Sequence, residues 1–151
     1  MSIKAKEKAA ARGILRYRKI YKDGRVEACE GENLIVDAAR DQMARLVAGD
    51  AEERRVAAIA FGTDGSAPEV ADTEIAEPFI KTVSGVDYPA PGQARFNWNV
   101  AETEMNGKAV MEFGLLCEDG TLFARRVRQT PLNKDSDFSL EGDWTIIFNG
   151  G

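Results

Sequence analysis

Few residues of this sequence have the side chains that enzymes most often use for catalysis. The chain has no histidine, and histidine is the commonest general base and the commonest neutral metal ligand. A serine triad of the usual type and a Cys–His pair therefore cannot form. Its two cysteines, Cys29 and Cys117, lie far apart, so a zinc site built from Cys and His is excluded. The sequence predicts a protein that is not an enzyme and has no catalytic, metal or cofactor residues.

The cysteines themselves favour a structural interpretation. Neither belongs to a close Cys pair, and the sequence has no secretory signal, so we expect synthesis and folding in a cytoplasm. Reduced cysteines commonly behave as small, partly buried hydrophobic residues. A disulfide between Cys29 and Cys117 is the alternative, and it stays open at this stage.

The glycines and acidic residues give no recognised ligand-binding pattern. Gly62 and Gly65 are not followed by Gly-Lys-Ser/Thr, and no dinucleotide-binding fingerprint follows a strand. A group of carboxylates in the same region does not have the EF-hand spacing, which leaves a loosely bound cation as a minor alternative. Its members are Asp64, Glu69, Asp72, Glu74 and Glu77. Glu112 and Glu118 could be proposed as a glycosidase pair, but a charged residue beside a turn is the commoner explanation.

Charge is distributed unevenly along the chain. Residues 1–28 hold nine basic and three acidic side chains and carry +6, which leaves −11 for the rest of a chain whose net charge is −5. Residues 2–12 are rich in Ala and Lys, with Ser2 as a cap and Gly13 after the end, so they predict a short helix. We therefore expect a basic N-terminal arm over residues 1–13 and a single β-rich domain over residues 14–151. Such an arm can dock on an acidic surface.

The first half of the domain combines a hairpin with a helix. Apolar residues over 14–22 and 25–29 flank Asp23-Gly24, which is a strong hairpin signal. Residues 37–48 predict an amphipathic helix with Asp37 as its N-cap and Gly49 at its end. Its apolar stripe consists of Ala39, Met43, Leu46 and Val47.

The second half predicts several short strands. Val56–Phe61 is an apolar run typical of a buried strand, and residues 62–74 then form a long polar loop, a kind that is often functional. Strands are also predicted over 78–86, 96–100, 110–117, 122–124 and 144–148, with turns at Asn106-Gly107 and Asp119-Gly120. Gly114 within a strand predicts a bulge or a close backbone approach. The fold class is mainly β (α+β): an antiparallel β-sandwich or barrel-like domain with one helix and a short helical arm.

Three local patterns, taken in order over residues 20–148, resemble the phage tail collar-fibre family and related baseplate or tail-fibre adaptor proteins. The first is Gly31-Glu-Asn-Leu-Ile-Val-Asp37 leading into the helix. The second is Ile59-Ala-Phe-Gly-Thr63 with Gly65, Pro68, Asp72-Thr73, Ile75 and Glu77. The third is Glu112-Phe-Gly-Leu-Leu116 with Asp119-Gly-Thr-Leu-Phe-Ala-Arg125. Long tail-fibre proteins continue into a shaft, whereas this sequence stops soon after Phe148.

The resemblance implies a virion structural protein of the tail, assembled in the host cytoplasm. Its partners would be other tail or baseplate proteins and further copies of itself, as a trimer or hexamer, without a membrane or a small-molecule substrate. The contact surfaces expected are the arm, the 62–77 loop and exposed sheet edges. The candidate contact residues are Lys4, Lys6, Lys8, Arg12, Arg16, Asp64, Ser66, Pro68 and Glu69.

Two other functions remain as alternatives. A tail-fibre module could bind a receptor or glycan, with Trp98 and Trp144 stacking on sugars, although tryptophans in strands are more often core anchors. The basic arm could instead bind nucleic acid, but the acidic domain makes that electrostatic signal weak.

Overall fold

A computed structural model describes residues 11–149, and they form a mainly β protein with one helix. The strands are β1 Ala11–Tyr21, β2 Val26–Ile35, β3 Val56–Gly62, β4 Phe79–Thr82, β5 Gly85–Asp87, β6 Gln93–Val100, β7 Ala109–Cys117, β8 Leu122–Asn133 and β9 Phe138–Phe148. The helix, α1, is Asp37–Val47.

All nine strands belong to one antiparallel sheet, in the order β4-β3-β7-β8-β2-β1-β9-β6-β5. The sheet curls into a half-barrel, which confirms the mainly β, barrel-like prediction. The short link between β4 and β5 joins the two ends of the sheet. There, the Val83 N–H donates to the Ala57 carbonyl (3.0 Å), and the Ser84 N–H donates to the Asn97 carbonyl of β6 (2.7 Å).

Aromatic residues fill the concave side of the sheet. Tyr17 of β1 packs on Phe113 of β7 with ring centroids 5.1 Å apart. Phe61 of β3 packs on Trp98 of β6 at 5.4 Å and on Phe113 at 5.6 Å. These four strands are not neighbours, except for β3 and β7. Only the curl of the sheet brings the rings together, so the aromatic core and the half-barrel depend on each other.

The tight turns behave as the sequence predicts. Gly24 has φ +91 and Gly120 has φ +88, a backbone conformation that glycine adopts at little cost. In each turn the preceding aspartate accepts a main-chain N–H, from Arg25 to Asp23 (2.9 Å) and from Thr121 to Asp119 (3.0 Å). The turns of the β1–β2 and β7–β8 hairpins are therefore set by residues within a few positions of one another.

The predicted helix is present, but its cap and one of its faces differ from expectation. Val36 occupies the N-cap position and makes no side-chain capping bond, while Asp37 pairs with Arg40 instead. Val47 is 90% exposed, so it was wrongly assigned to the buried stripe. Gln42, which lies off the predicted stripe, is buried instead, and its amide donates to the Asp119 carboxylate (3.2 Å).

The beginning of the described chain differs from the predicted arm. Residues 11–13 belong to β1, where Ala11 pairs with Phe148 of β9 and Gly13 pairs with Asn33 of β2. The helix prediction is therefore wrong at residues 11 and 12, since pairing with β9 holds them extended. The expected boundary between residues 13 and 14 falls inside β1. The rest of the predicted arm, residues 1–10, lies outside the described residues.

One predicted strand divides into two. The stretch 78–86 forms β4 on β3 and then β5 on β6, with the crossing at Val83 and Ser84.

Cys29 and Cys117 are both free thiols, and burial raises the pKa of Cys117. Within residues 11–149, no helix is long and apolar enough to span a membrane.

Burial of Tyr17 leads to a testable titration. Burial raises the pKa of its phenol to about 12, against the opposing effect of Arg128, which donates a hydrogen bond to the hydroxyl. A phenol charges by losing its proton, so the unfolded chain ionises first as the pH rises from 10. We expect the free energy of unfolding to fall between pH 10 and 12. Urea titrations should show a smaller fall for Tyr17→Phe, and equal falls would contradict this account.

Candidate functional site

The long segment between β3 and β4, residues 63–78, lies against the sheet and is here called the 63–78 loop. Phe61 and Phe113 point into the aromatic core, so their neighbours Gly62, Glu112 and Gly114 point to the opposite face. That face is covered by the loop: Ile75 is buried and packs in a small apolar cluster with strand residues.

Two glycines make room for Ile75. A Cβ atom on Gly62 would lie 2.3 Å from Ile75 Cγ2, and one on Gly114 would lie 2.5 Å from Ile75 Cγ1. Both distances are far below van der Waals contact. The sequence predicts a bulge or a close backbone approach at Gly114, whereas the segment that comes close there does so through the side chain of Ile75. The pair of glycines forms a notch, and Ile75 fills it.

A buried ion cluster lies beside this notch. Glu112 is 0% exposed and Arg125 is 2% exposed. The guanidinium of Arg125 donates to Glu112 Oε1 (2.9 Å), to Asp72 Oδ2 (3.0 Å) and to the main-chain carbonyl of Asp64 (3.0 Å). Arg125 thus joins two strands to two separate positions of the loop.

Glu112 completes the bracing with its second oxygen. Its Oε2 accepts the main-chain N–H groups of Asp64 (2.7 Å) and Ala76 (3.1 Å). Both carboxylate oxygens are therefore satisfied without solvent, as a buried charge requires. Because the two N–H groups lie near opposite ends of the 63–78 loop, a single side chain holds both ends.

The electrostatics of the cluster favour its charged form. Burial disfavours the charged guanidinium, but the hydrogen bonds and charges of Glu112 and Asp72 outweigh it and raise the pKa of Arg125. Hydrogen bonds from Ser66, together with the charge of Arg125, lower the pKa of Asp64. Arg125 and Asp64 therefore carry opposite charges at neutral pH, and Arg125 holds the loop through them.

Four of the predicted contact residues lie on the solvent side of this loop. Asp64, Ser66, Pro68 and Glu69 are all exposed. Two internal bonds shape the segment that carries them: Asp64 Oδ1 accepts the Ser66 N–H (2.8 Å), and Asp72 Oδ2 accepts the Glu69 N–H (2.9 Å). The structure therefore brings these four residues together on one preformed surface.

The predicted basic contacts do not join that surface. Arg12 and Arg16 lie on β1, which β2 and β8 separate from β7 and β3 in the sheet. Arg12 pairs with Glu32 (3.2 Å), and Arg16 binds Asp143 through both ends of its guanidinium. These arginines belong to a strand and are already paired, so they do not form part of a free arm. Lys4, Lys6 and Lys8 lie outside the described residues.

A surface groove of about 520 Å³ runs beside the same arginines. Its charged lining pairs internally, since Arg18 binds Glu141 (2.8 Å) as Arg16 binds Asp143. Its remaining lining includes Glu30 and Asn97. The part of the chain in the structure contains no cluster of three or more Cys, Asp and Glu side chains that could hold a metal ion.

The structure does not support the glycosidase pair or the sugar-stacking tryptophans considered from the sequence. Glu112 is engaged by Arg125, and Glu118 is paired with Arg55 on the surface, so the two glutamates do not face each other as an acid–base pair. Trp98 and Trp144 are buried at 2% and 0% exposure and are core anchors. A glycan cannot stack on either ring in this structure.

The buried pair of Glu112 and Arg125 was not predicted from the sequence. Glu112 stands in an otherwise apolar strand segment, and Arg125 directly follows the apolar run Leu122–Ala124 on the other side of the Asp119-Gly120 turn. Charged residues at such positions indicate a buried pair, because an unpaired charge there would be costly. That signal was available. The loop positions that Arg125 reaches, Asp64 and Asp72, had no comparable signal.

Comparison of the chain with protein-family models, with curated proteins and with solved structures finds no match.

Proposed function

We propose that this protein is a structural subunit of a bacteriophage tail, at the baseplate, collar or fibre attachment, and that it acts by protein–protein assembly without catalysis. The observation that carries the proposal is the braced 63–78 loop. Glu112 and Arg125 are buried charges that hold an exposed segment in one shape. A contact surface formed in advance loses less conformational entropy when a partner binds.

The composition of the loop indicates the kind of partner. Residues 63–78 contain five acidic side chains and no basic one. Arg125 neutralises part of this charge through Asp64 and Asp72. Glu69 and Glu74 remain exposed to solvent. A partner with basic side chains around a small apolar contact fits such a surface. The sequence resemblance to tail collar-fibre and adaptor proteins supplies the tail as the place of assembly.

The decisive experiment places the protein in the particle. Phage particles made from a genome that encodes this chain are purified, and the chain is located by antibody labelling and electron microscopy. We expect label on the tail, and we expect particles without the gene to lack a fibre or baseplate feature. Particles that contain no copy of the chain would overturn the proposal.

A charge reversal in the loop tests the contact surface. Glu69→Lys alters an exposed side chain outside the buried cluster, and Glu52→Lys is a matched control on a distant exposed turn. Removing one interface anchor costs at least about 1.4 kcal/mol, so we expect incorporation into particles to fall at least about tenfold for Glu69→Lys. The control should incorporate normally. Equal incorporation of the two variants would remove the loop from the interface.

A further inference from the structure

The strand β2 has one open side. It spans ten residues, Val26–Ile35, and pairs with β1 over 26–33. On its other side only Leu34 and Ile35 pair with β8. Among the described strands, none pairs with residues 26–33 of β2 on this side. The two end strands of the sheet have only four and three residues, so β2 offers a longer open stretch than either of them.

The register identifies the main-chain groups that face this open side. The Tyr21 N–H donates to the Arg25 carbonyl, so odd-numbered residues of β2 bond with β1. The even-numbered positions 26, 28, 30 and 32 therefore face away from β1. Arg126 confirms the direction, because its guanidinium donates to the Glu32 carbonyl (2.7 Å). That contact is the only bond described on this stretch of the open side.

The side chains at these positions carry negative charge. Glu30 and Glu32 are two residues apart, so they project from the same face of the strand. Both are exposed. Glu32 has one exposed partner, Arg12 (3.2 Å), and Glu30 has no ion-pair partner within residues 11–149. A strand added here would meet two carboxylates on one face, with the small side chain of Ala28 beyond them.

We propose that residues 4–8 of a neighbouring copy of this chain lie along the open side of β2 as an added strand, in place of the helix that the composition of residues 2–12 favours. Lys4, Lys6 and Lys8 alternate with other residues, so in an extended segment they would share one face and meet Glu30 and Glu32. Open strand edges accept such segments through main-chain hydrogen bonds. The inference rests on the proposed assembly function in that it names one partner, a second copy.

The position of the segment favours exchange between copies. The chain enters the structure at Ala11 already extended, between β2 and β9. Ten further residues reach at most about 33–36 Å, enough to cross to an adjacent subunit. Reaching the open side within the same copy would require the segment to cross over β2, where Leu34 and Ile35 already pair with β8. Repetition of the contact from copy to copy gives a ring or a filament.

The test uses the full chain and sedimentation velocity at low and high salt. The wild type should self-associate, and Lys4→Glu/Lys6→Glu/Lys8→Glu and Glu30→Lys/Glu32→Lys should each raise the dissociation constant at least about tenfold. Combining all five reversals on one chain should restore association, because the attraction is then regenerated with opposite signs. Circular dichroism confirms that each variant is folded. The proposal is overturned if the wild type remains monomeric, or if the variant with all five reversals does not regain self-association.

A main-chain variant separates strand addition from charge attraction. The N–H of Ala28 faces the open side, so Ala28→Pro keeps the bonds to β1 but removes a donor and blocks an incoming strand. We expect the folded variant to lose association, whereas unchanged association would exclude strand addition. These substitutions lie away from the 63–78 loop. A negative result here together with tail incorporation that depends on Glu69 would therefore leave the proposed function standing.

Discussion

Replacing Arg125 with methionine is expected to lower the free energy of unfolding by about 3–5 kcal/mol, because it leaves a fully buried carboxylate without its cation. Arg125 also binds Asp72 and the Asp64 carbonyl, so three acceptors lose a charged donor at once. The methionine fills much of the vacated volume, which keeps the effect mainly electrostatic. Urea denaturation followed by tryptophan fluorescence measures the change.

The matched control removes the stranded charge. In Glu112→Gln/Arg125→Met, the amide oxygen can still accept the Asp64 and Ala76 N–H groups that Glu112 Oε2 accepts. We expect the double variant to be more stable than Arg125→Met alone. We also expect limited proteolysis to cut the 63–78 loop faster in the single variant. A single variant within about 1 kcal/mol of wild type would show that the buried pair contributes little, a result known for exposed ion pairs.

Replacing Gly114 with valine is expected to destabilise the protein by overpacking the notch that Ile75 fills. The added Cβ would lie 2.5 Å from Ile75 Cγ1 and 3.1 Å from Leu122 Cδ1, so either the loop or the β7–β8 hairpin must move. Overpacking of this kind costs about 1–3 kcal/mol and occasionally more. We expect the loop to move, because β7 and β8 are held by main-chain pairing with each other and β7 also pairs with β3. Its displacement would weaken the bonds of Glu112 to Asp64 and Ala76, and the same denaturation and proteolysis assays detect it.

Shortening Ile75 tests whether the notch explains that effect. Ile75→Ala alone leaves an unfilled space and costs about 2–5 kcal/mol, as is typical for a buried large-to-small change. In Gly114→Ala/Ile75→Ala, the new methyl group occupies part of that space. We expect the double variant to lose clearly less stability than the sum of the losses in Gly114→Ala and Ile75→Ala measured separately. Strictly additive losses would mean that Gly114 and Ile75 do not contact each other as described.

The loop and the open side of β2 suggest two different modes of association. Glu112 and Arg125 hold the loop rigid, so it offers a shaped surface to a partner that is already folded. The open side of β2 offers main-chain groups, which suit an extended segment with little structure of its own. The two surfaces lie on different parts of the sheet. In the assembly proposed above, one chain would contact a different protein through the loop and a further copy of itself through the open side of β2.

The local elements of this protein could be derived from its sequence because short-range chemistry fixes them. Asp23-Gly24 and Asp119-Gly120 determine their turns through one glycine at positive φ and one aspartate that accepts a nearby N–H. Alternation over Phe96–Val100 determines which face of β6 enters the core. The helix end at Gly49 follows for the same reason. Each of these features depends on residues within a few positions of one another.

The tertiary structure decided everything that depends on distant residues. Trp98 and Trp144 could be anchors or binding residues until the curl of the sheet buried them. Residues 11 and 12 have a helical composition, but pairing with β9 makes them strand. The open side of β2 exists because β8 leaves it after Leu34. Arg125 reaches Asp64 and Asp72 across 61 and 53 positions of sequence. No local pattern encodes such contacts, since they form only when the folded sheet brings the partners within bonding distance.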